Sequence, residues 1–352
     1  MANSTNPYKT ILQLIADIIS FKPNETELKS QLQHIKTDWE GLVKVASAHL
    51  VLTTLYCRLK QKKLLDGLPE DLHIYLKELT AINRNRNLTL FEEIKDISNV
   101  LNANNINHVF LKGCALLAGN YYEDPSERMI GDIDILVASD QIQKAFQLVT
   151  SQGYSKYITF NYTVKNFRHL DRQVHEDKLA AIELHKCVLN DKYAHLIDTD
   201  TILSTKTIVN GIALPNTEYL IRTTILAYQI NSFGNYYNTL HFKYVYDCLV
   251  LNLDSNTTML KQLSAEQYTA KFLVLGNIHF SEIEVFNNSL KMSIARAQYG
   301  FFLKHRALGK TVYDIKNLYH KIRERLHLII FNKSYRNYIL SSKIFRRNKG
   351  NY

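Results

Sequence analysis

The chain has 352 residues, 46% of them hydrophobic, with 12 Gly and 5 Pro: enough apolar material for a core of one or two domains, and too few breakers for long loops. A net charge of +10 and a pI near 9.2 suit a nucleotide, a nucleic acid or an acidic membrane surface, and choose none of them. Cys57, Cys114, Cys187 and Cys248 are far apart, with no CxxC or Cys/His ligand spacing, so neither a disulfide framework nor a zinc site is indicated.

Gln13 and Asp17 interrupt the first apolar run, and no segment approaches 18 consecutive apolar residues. No signal peptide or transmembrane span is expected, and a cytoplasmic location is the default. From residue 6 to about 104 the chain reads as helical. One helix is expected from Trp39 to Leu59, striped by Leu42, Val43, Ala46, Leu52 and Leu55. A later one carries Leu90, Ile94, Ile97 and Leu101 at spacings of 4, 3 and 4, one face of a 3.6-residue period. His49 has no ligand partner at helical spacing and is expected to be a surface or satisfied core histidine. Arg84 and Arg86, set among Asn83, Asn85 and Asn87, read as a solvated face, with phosphate contact as the alternative.

Asn104-Asn105 signals a turn before a strand over Ile106–Lys112, which leads into a short helix from Cys114 to about Tyr121. A strand that ends in Gly and enters a helix offers backbone N–H groups to an anion. Gly113 lets a phosphate approach closely, and Lys112 can add a point charge. Residues 122–130 read as a loop. Arg128, four residues before Asp132, is placed to reach the same phosphates, or else to pair with Glu123, Asp124 or Glu127.

Gly131-Asp132-Ile133-Asp134-Ile135-Leu136-Val137 then threads two carboxylates into a β-rich run. Alternation puts Asp132 and Asp134 on one strand face, about 7 Å apart. Such a pair repels unless a counter-charge neutralises it. A divalent cation would do so, and Mg²⁺ prefers one or two carboxylates plus substrate phosphates. The simpler reading is a strand whose Asp residues face water.

Next, Asp140 and Gln143 have capping-box spacing, and Ile142, Ala145, Phe146 and Val149 stripe a helix that Gly153 ends. Strands are expected in Tyr154–Phe160, within Tyr162–Val174, and over Leu179–His185. In the last, Glu183 and His185 share a face, and Glu183 is the third carboxylate to bring beside Asp132 and Asp134. From Leu196 onward the chain reads as helical, with Ala213–Asn216 as a loop and Asp247 on a helix from about Leu240 to Leu251. Residues 321–349 interleave basic and apolar side chains. That is the pattern of an amphipathic helix for an acidic partner, RNA or membrane, or of a terminal helix that packs its apolar face and solvates its charges.

Together, Leu111-Lys112-Gly113, Arg128, Gly131–Val137 and Ile182-Glu183-Leu184-His185 resemble the uncharacterised nucleotidyltransferases of the DNA-polymerase-β-like superfamily. The resemblance runs from about Trp39 to Leu251 and includes Leu214-Pro215, Glu218 and Asp247. It implies an α+β fold: a small mixed β-sheet nucleotidyltransferase core over residues 105–210, an N-terminal helical region over 1–104, and a C-terminal helical region over 211–352. It also implies a site in which Asp132, Asp134 and Glu183 hold Mg²⁺ or Mn²⁺, and Lys112, Gly113 and Arg128 meet the phosphates of an NTP. The activity implied is transfer of a nucleoside monophosphate to a hydroxyl or phosphate on a small molecule, a protein or an RNA. A protein that keeps the fold but only binds a nucleotide or a partner, as an antitoxin does, is the alternative. Two departures stand out. Cys114 follows Gly113 where Ser or Gly is common, and the gap to Asp132 is long. Tyr228-Gln229 stands where relatives often show a His.

Overall fold

The computed structural model describes residues 7–22, 25–33, 37–157, 162 and 168–341. Its N-terminal region comprises α1 (Pro7–Ile19), α2 (Glu25–Leu32), α3 (Trp39–Ala48), α4 (Leu52–Gln61) and α5 (Glu70–Ala103). Leu90, Ile94, Ile97 and Leu101 are all buried on α5, as their spacing predicts. The single helix expected from Trp39 to Leu59 is instead α3 and α4, bent by 116°. Leu50 makes the bend at φ +56, a left-handed conformation that costs an L-residue roughly 1–2 kcal/mol. Apolar spacing continues across the break, so periodicity does not reveal it.

The central segment runs β1 (His108–Phe110), α6 (Lys112–Ala118), β2 (Asp132–Val137), α7 (Ile142–Ser151), β3 (Ser155–Lys156), β4 (Gln173–Val174) and β5 (Ala181–His185). The sheet order is β1-β2-β5-β4-β3. Only β2 and β5 are parallel, so the sheet is mixed and the fold is α+β. Both flanking helices, α6 and α7, pack against α5. The capping box expected at Asp140 does not form. Gln141 takes the N-cap position without a side-chain cap, and its Oε1 accepts from Asn107 N at 2.6 Å, tying the helix start to β1. Gly153 ends α7 at φ +90, where a Cβ would meet His175 Nε2 at 2.7 Å. The strands expected around 154–174 shrink to β3 and β4, and residues 158–161 and 163–167 lie outside the described residues.

After α8 (Thr199–Ser204) the chain, expected to be helical up to a loop at Ala213–Asn216, forms two strands instead. β6 (Thr207–Val209) and β7 (Ile212–Leu214) form a hairpin around Asn210 and Gly211, at φ +51 and +81. Asn216 then caps α9 (Thr217–Leu226) by accepting from Tyr219 N at 3.0 Å. A π turn over Ala227–Asn231 leads to α10 (Gly234–Tyr237) and α11 (Phe242–Leu249). The rest is α12 (Thr257–Ala265), α13 (Gln267–Gly276), α14 (Leu290–Lys304), α15 (Arg306–Phe331) and α16 (Lys333–Ser341). One hydrophobic cluster joins the N-terminal helices, the sheet and the C-terminal helices, from Ile11 to Leu303. Among the described residues no single helix is long and apolar enough to cross a membrane.

His49 is a satisfied core histidine: its Nδ1 accepts from Phe242 N at 3.2 Å, and its ring packs on His241. Burial pushes His49 down to about 3 and His279 down to about 4. Both are neutral in the fold and charge more readily once unfolded. Their contribution is therefore complete above the ordinary histidine value of about 6.5 and is lost as pH falls toward the lowered values. Thermal melting across this window should show stability falling at up to about 1.4 kcal/mol per pH unit for each imidazole. His279→Gln should flatten the slope, and an unchanged slope would exclude His279 as a contributor.

Candidate active site

Residues Ile133–Val137 of β2 are buried, with Ile133, Ile135 and Val137 joining the main core. Alternation sends Asp132 and Asp134 to the other face. Leu111 N donates to Asp134 O at 2.9 Å, which continues the β1 pairing to this point. On the far side, parallel pairing sets Asp134 opposite Glu183 and Leu136 opposite His185. Three acidic side chains from two adjacent strands thus meet on one face. Asp134 and Glu183 are buried, and the Asp132 side chain is about one-third exposed (36%).

Basic groups surround the acids. Lys112 Nζ donates to Asp134 Oδ1 at 2.6 Å, and His185 Nε2 lies 2.8 Å from the same oxygen. The Arg172 guanidinium bridges the other two acids, reaching Asp132 Oδ2 at 2.7 Å and Glu183 Oε1 at 2.9 Å. His169 Nε2 is 3.8 Å from Glu183 Oε2. Burial alone would raise all three carboxyls. For Asp134, the Lys112 and His185 charges and hydrogen bonds outweigh it and hold the group below the usual carboxylate range. For Glu183, His185 Nε2 at 3.6 Å and His169 Nε2 at 3.8 Å favour the charged form and do the same. Asp132 is raised despite Arg172, because burial and the two neighbouring carboxylates outweigh the guanidinium. Lys112 is raised: burial opposes its charge, and Asp134 more than compensates. It also sits at φ +57, an uncommon conformation that tends to be kept where geometry matters.

A cleft of about 590 Å³ opens above these residues. Lys112, Gly113, Arg128, Gly131, Asp132 and Asp134 line its core side. Thr224, Ala227, Asn231, Lys243 and Asp247 line the wall from the C-terminal helices, and Arg86 and Arg168 add charge. Gly113 lies against Ile130, where an added Cβ would come within 3.1 Å of a side-chain carbon. Cys114, at the position where Ser or Gly is common, donates through Sγ to Asp132 O at 2.9 Å. Its thiol is fully buried and pushed up to about 12, so it braces β2 as a neutral group.

Arg128 pairs with none of Glu123, Asp124 and Glu127. Its Nε donates to Asp247 Oδ1 at 3.0 Å, and both residues are buried at the cleft wall. Arg84 and Arg86 are not a solvated face. Arg84 Nε donates to Asp124 Oδ1 at 3.0 Å, and Arg86 donates to the Ile130 carbonyl. Asn83 and Asn87 are buried and donate to the Ser126 and Arg128 carbonyls at 2.8 and 2.7 Å. The long loop before β2 is therefore pinned to α5.

The donor set fits a divalent cation. Ligand atoms of Asp134, Glu183 and His185 lie within 4.8 Å of one another, and carboxylate oxygens suit Mg²⁺ or Mn²⁺. His185 Nδ1 is buried without a hydrogen-bond partner among the described residues. His185, Arg172, Arg168 and Lys243 carry no motif that marks them as site residues in the sequence. His185 was legible as the residue sharing the face of Glu183. Arg172 precedes a two-residue strand that carries no usable pattern.

No curated protein matches the chain. Residues 36–244, more than half the chain and including every residue of the acidic cluster, match the model of the uncharacterised nucleotidyltransferases, and the chain belongs to that family.

Proposed function

We propose that this protein is a divalent-cation-dependent nucleotidyltransferase that moves a nucleoside monophosphate from an NTP to a hydroxyl or phosphate acceptor. The observation that carries the proposal is that Asp132 and Asp134 line a cleft walled by Arg86, Lys112, Arg128, Arg168 and Lys243, with Glu183 paired beside Asp134 on the adjacent strand. Asp132, Asp134 and Glu183 would hold the cation, as Mg²⁺ or Mn²⁺, with His185 within reach of the last two. When bound, it supplies charge neutralisation for the triphosphate and for the leaving pyrophosphate.

The protein's own groups do the rest. Lys112 and Lys243 bind phosphate oxygens from opposite sides of the cleft, and the Gly113 backbone forms part of the floor beside Lys112. Glu183 stays ionised at neutral pH and is the acceptor for the proton of an attacking hydroxyl. The acceptor oxygen bonds to the α-phosphorus as the bond to the β-phosphate oxygen breaks, and pyrophosphate leaves.

Incubation with each α-labelled NTP, Mg²⁺ and cell extract tests this. Transfer of label that Asp132→Ala abolishes is expected. No transfer with any of the four NTPs would overturn the proposal. Lys243→Ala should raise the KM for NTP roughly ten-fold or more, with a smaller effect on kcat, since it removes one charged contact to phosphate. An unchanged KM would remove Lys243 from the binding role.

One observation favours the second reading, a fold kept for binding alone. Arg172 and Lys112 already balance the acids without a cation. Stoichiometric purification with a partner, combined with no label transfer, would select it.

A further inference from the structure

The basic tail does not bury its apolar face within the described molecule. The inward side of α15 is polar and aromatic. His320 is buried against Phe233 with ring centroids 4.6 Å apart, Tyr313 packs on Tyr237 at 4.5 Å, and Asn317 Oδ1 accepts from the Tyr237 hydroxyl at 3.4 Å. His320 is the one buried residue of this 26-residue helix. About half a turn away run Leu308, Ile315, Tyr319, Ile322, Leu326 and Ile329, spaced 7, 4, 3, 4 and 3. That spacing makes one continuous apolar stripe along most of a helix about 39 Å long. These six side chains are 42–62% exposed.

Charge is segregated to the same region. Residues 306–349 hold twelve Lys and Arg against Asp314 and Glu324, a surplus of ten that equals the formal charge of the whole chain. Everything before them is balanced. At 100° per residue, Arg323 and Arg325 border the stripe on its two sides.

We propose that α15 docks this protein on a lipid surface bearing anionic headgroups, lying in the plane of the interface with the stripe in the acyl boundary. An anionic bilayer satisfies both features at once: it takes up the Ile and Leu side chains and pairs the flanking guanidinium groups with lipid phosphates. A second copy packed stripe to stripe would bring together two helices that each carry the same surplus of positive charge. RNA would use the charge and leave the stripe in water.

Co-sedimentation of the full chain with vesicles tests this. Binding to phosphatidylcholine–phosphatidylglycerol vesicles should exceed binding to phosphatidylcholine alone by about ten-fold or more. The double change Ile315→Glu and Ile322→Glu, at two exposed positions, should lower it by a similar factor without lowering Tm. Arg323→Gln with Arg325→Gln should remove the preference for the anionic lipid. Absence of vesicle binding, or binding that the double Glu variant keeps, overturns the proposal. So does labelled single-stranded RNA that binds instead of vesicles and survives the Glu changes. A dimer that the Glu changes abolish, with no vesicle binding, also overturns it.

Discussion

Asp134→Asn should cut nucleotidyl transfer by about a thousand-fold or more in kcat/KM. The change keeps the size of the side chain and removes the charge that Lys112 and His185 are arranged around. Asp134 is buried, faces Glu183 across the parallel pairing, and holds Lys112 at 2.6 Å and His185 at 2.8 Å. A neutral amide cannot hold a cation as a carboxylate does, and Lys112 loses the partner that fixes its direction at the cleft floor. Single-turnover transfer of labelled nucleotide reads the loss, and circular dichroism shows that the fold is intact. Transfer by the Asn variant at more than about a tenth of the unmodified rate would remove Asp134 from the centre of the mechanism. Asp132→Asn should behave alike if both acids serve one cluster. A much smaller loss there would confine the essential set to Asp134, Glu183 and His185, the three whose ligand atoms lie nearest one another.

The cluster was readable because its geometry is local. A two-residue alternation within one strand puts Asp132 and Asp134 on one face, and the same rule pairs Glu183 with His185. The pairing of the two strands was not readable, since register depends on the whole sheet; the family resemblance supplied that step. Where helices bury a full stripe, as α5 does through Leu90, Ile94, Ile97 and Leu101, the period was sufficient. It failed where backbone conformation decides the outcome. The bend at Leu50 leaves no trace in the apolar spacing. The β6–β7 hairpin has a signal of its own in the sequence: Asn210-Gly211 between Thr207-Ile208-Val209 and Ile212-Ala213-Leu214. Asn-Gly favours the φ > 0 turn observed there.

Charged residues were the least legible part. Arg84 and Arg86 stand among asparagines in the sequence, and Arg128 has Glu123, Asp124 and Glu127 within five residues. Arg84 took Asp124, Arg86 took a backbone carbonyl, and Arg128 took Asp247, 119 residues away. Sequence distance says little about ion pairs because long side chains reach whatever the packing brings near. The same packing fixes the cleft: α5 pins the loop before β2, and α11 delivers Asp247 and Lys243 to the opposite wall. The site thus depends on contacts between segments that carry no visible motif.

Asp247→Asn should therefore destabilise the protein by about 3–5 kcal/mol, the usual cost of breaking a buried pair by removing one charge. Asp247 is 2% exposed and Arg128 7%. Arg128 Nε donates to both Asp247 oxygens, at 3.0 and 3.2 Å, and the Tyr122 hydroxyl donates to Oδ1 at 2.9 Å. Loss of the carboxylate leaves a guanidinium in a packed wall with only the Met129 carbonyl as its other partner among these contacts. Burial raises the Tyr122 hydroxyl well above its ordinary value and Asp247 reinforces the shift, so Tyr122 stays a neutral donor and supplies no compensating charge. The pair joins the loop before β2 to α11, so weakening it should also open the cleft and lower transfer activity. Urea unfolding of Asp247→Asn, Arg128→Met and the double variant Arg128→Met with Asp247→Leu separates the causes. If the uncompensated charge carries the penalty, the double variant should be more stable than Asp247→Asn, because apolar side chains of similar volume replace both ions. If it is no more stable, the penalty comes from lost shape and hydrogen bonding at this junction, and the charge pair is incidental to how α11 is held against the core.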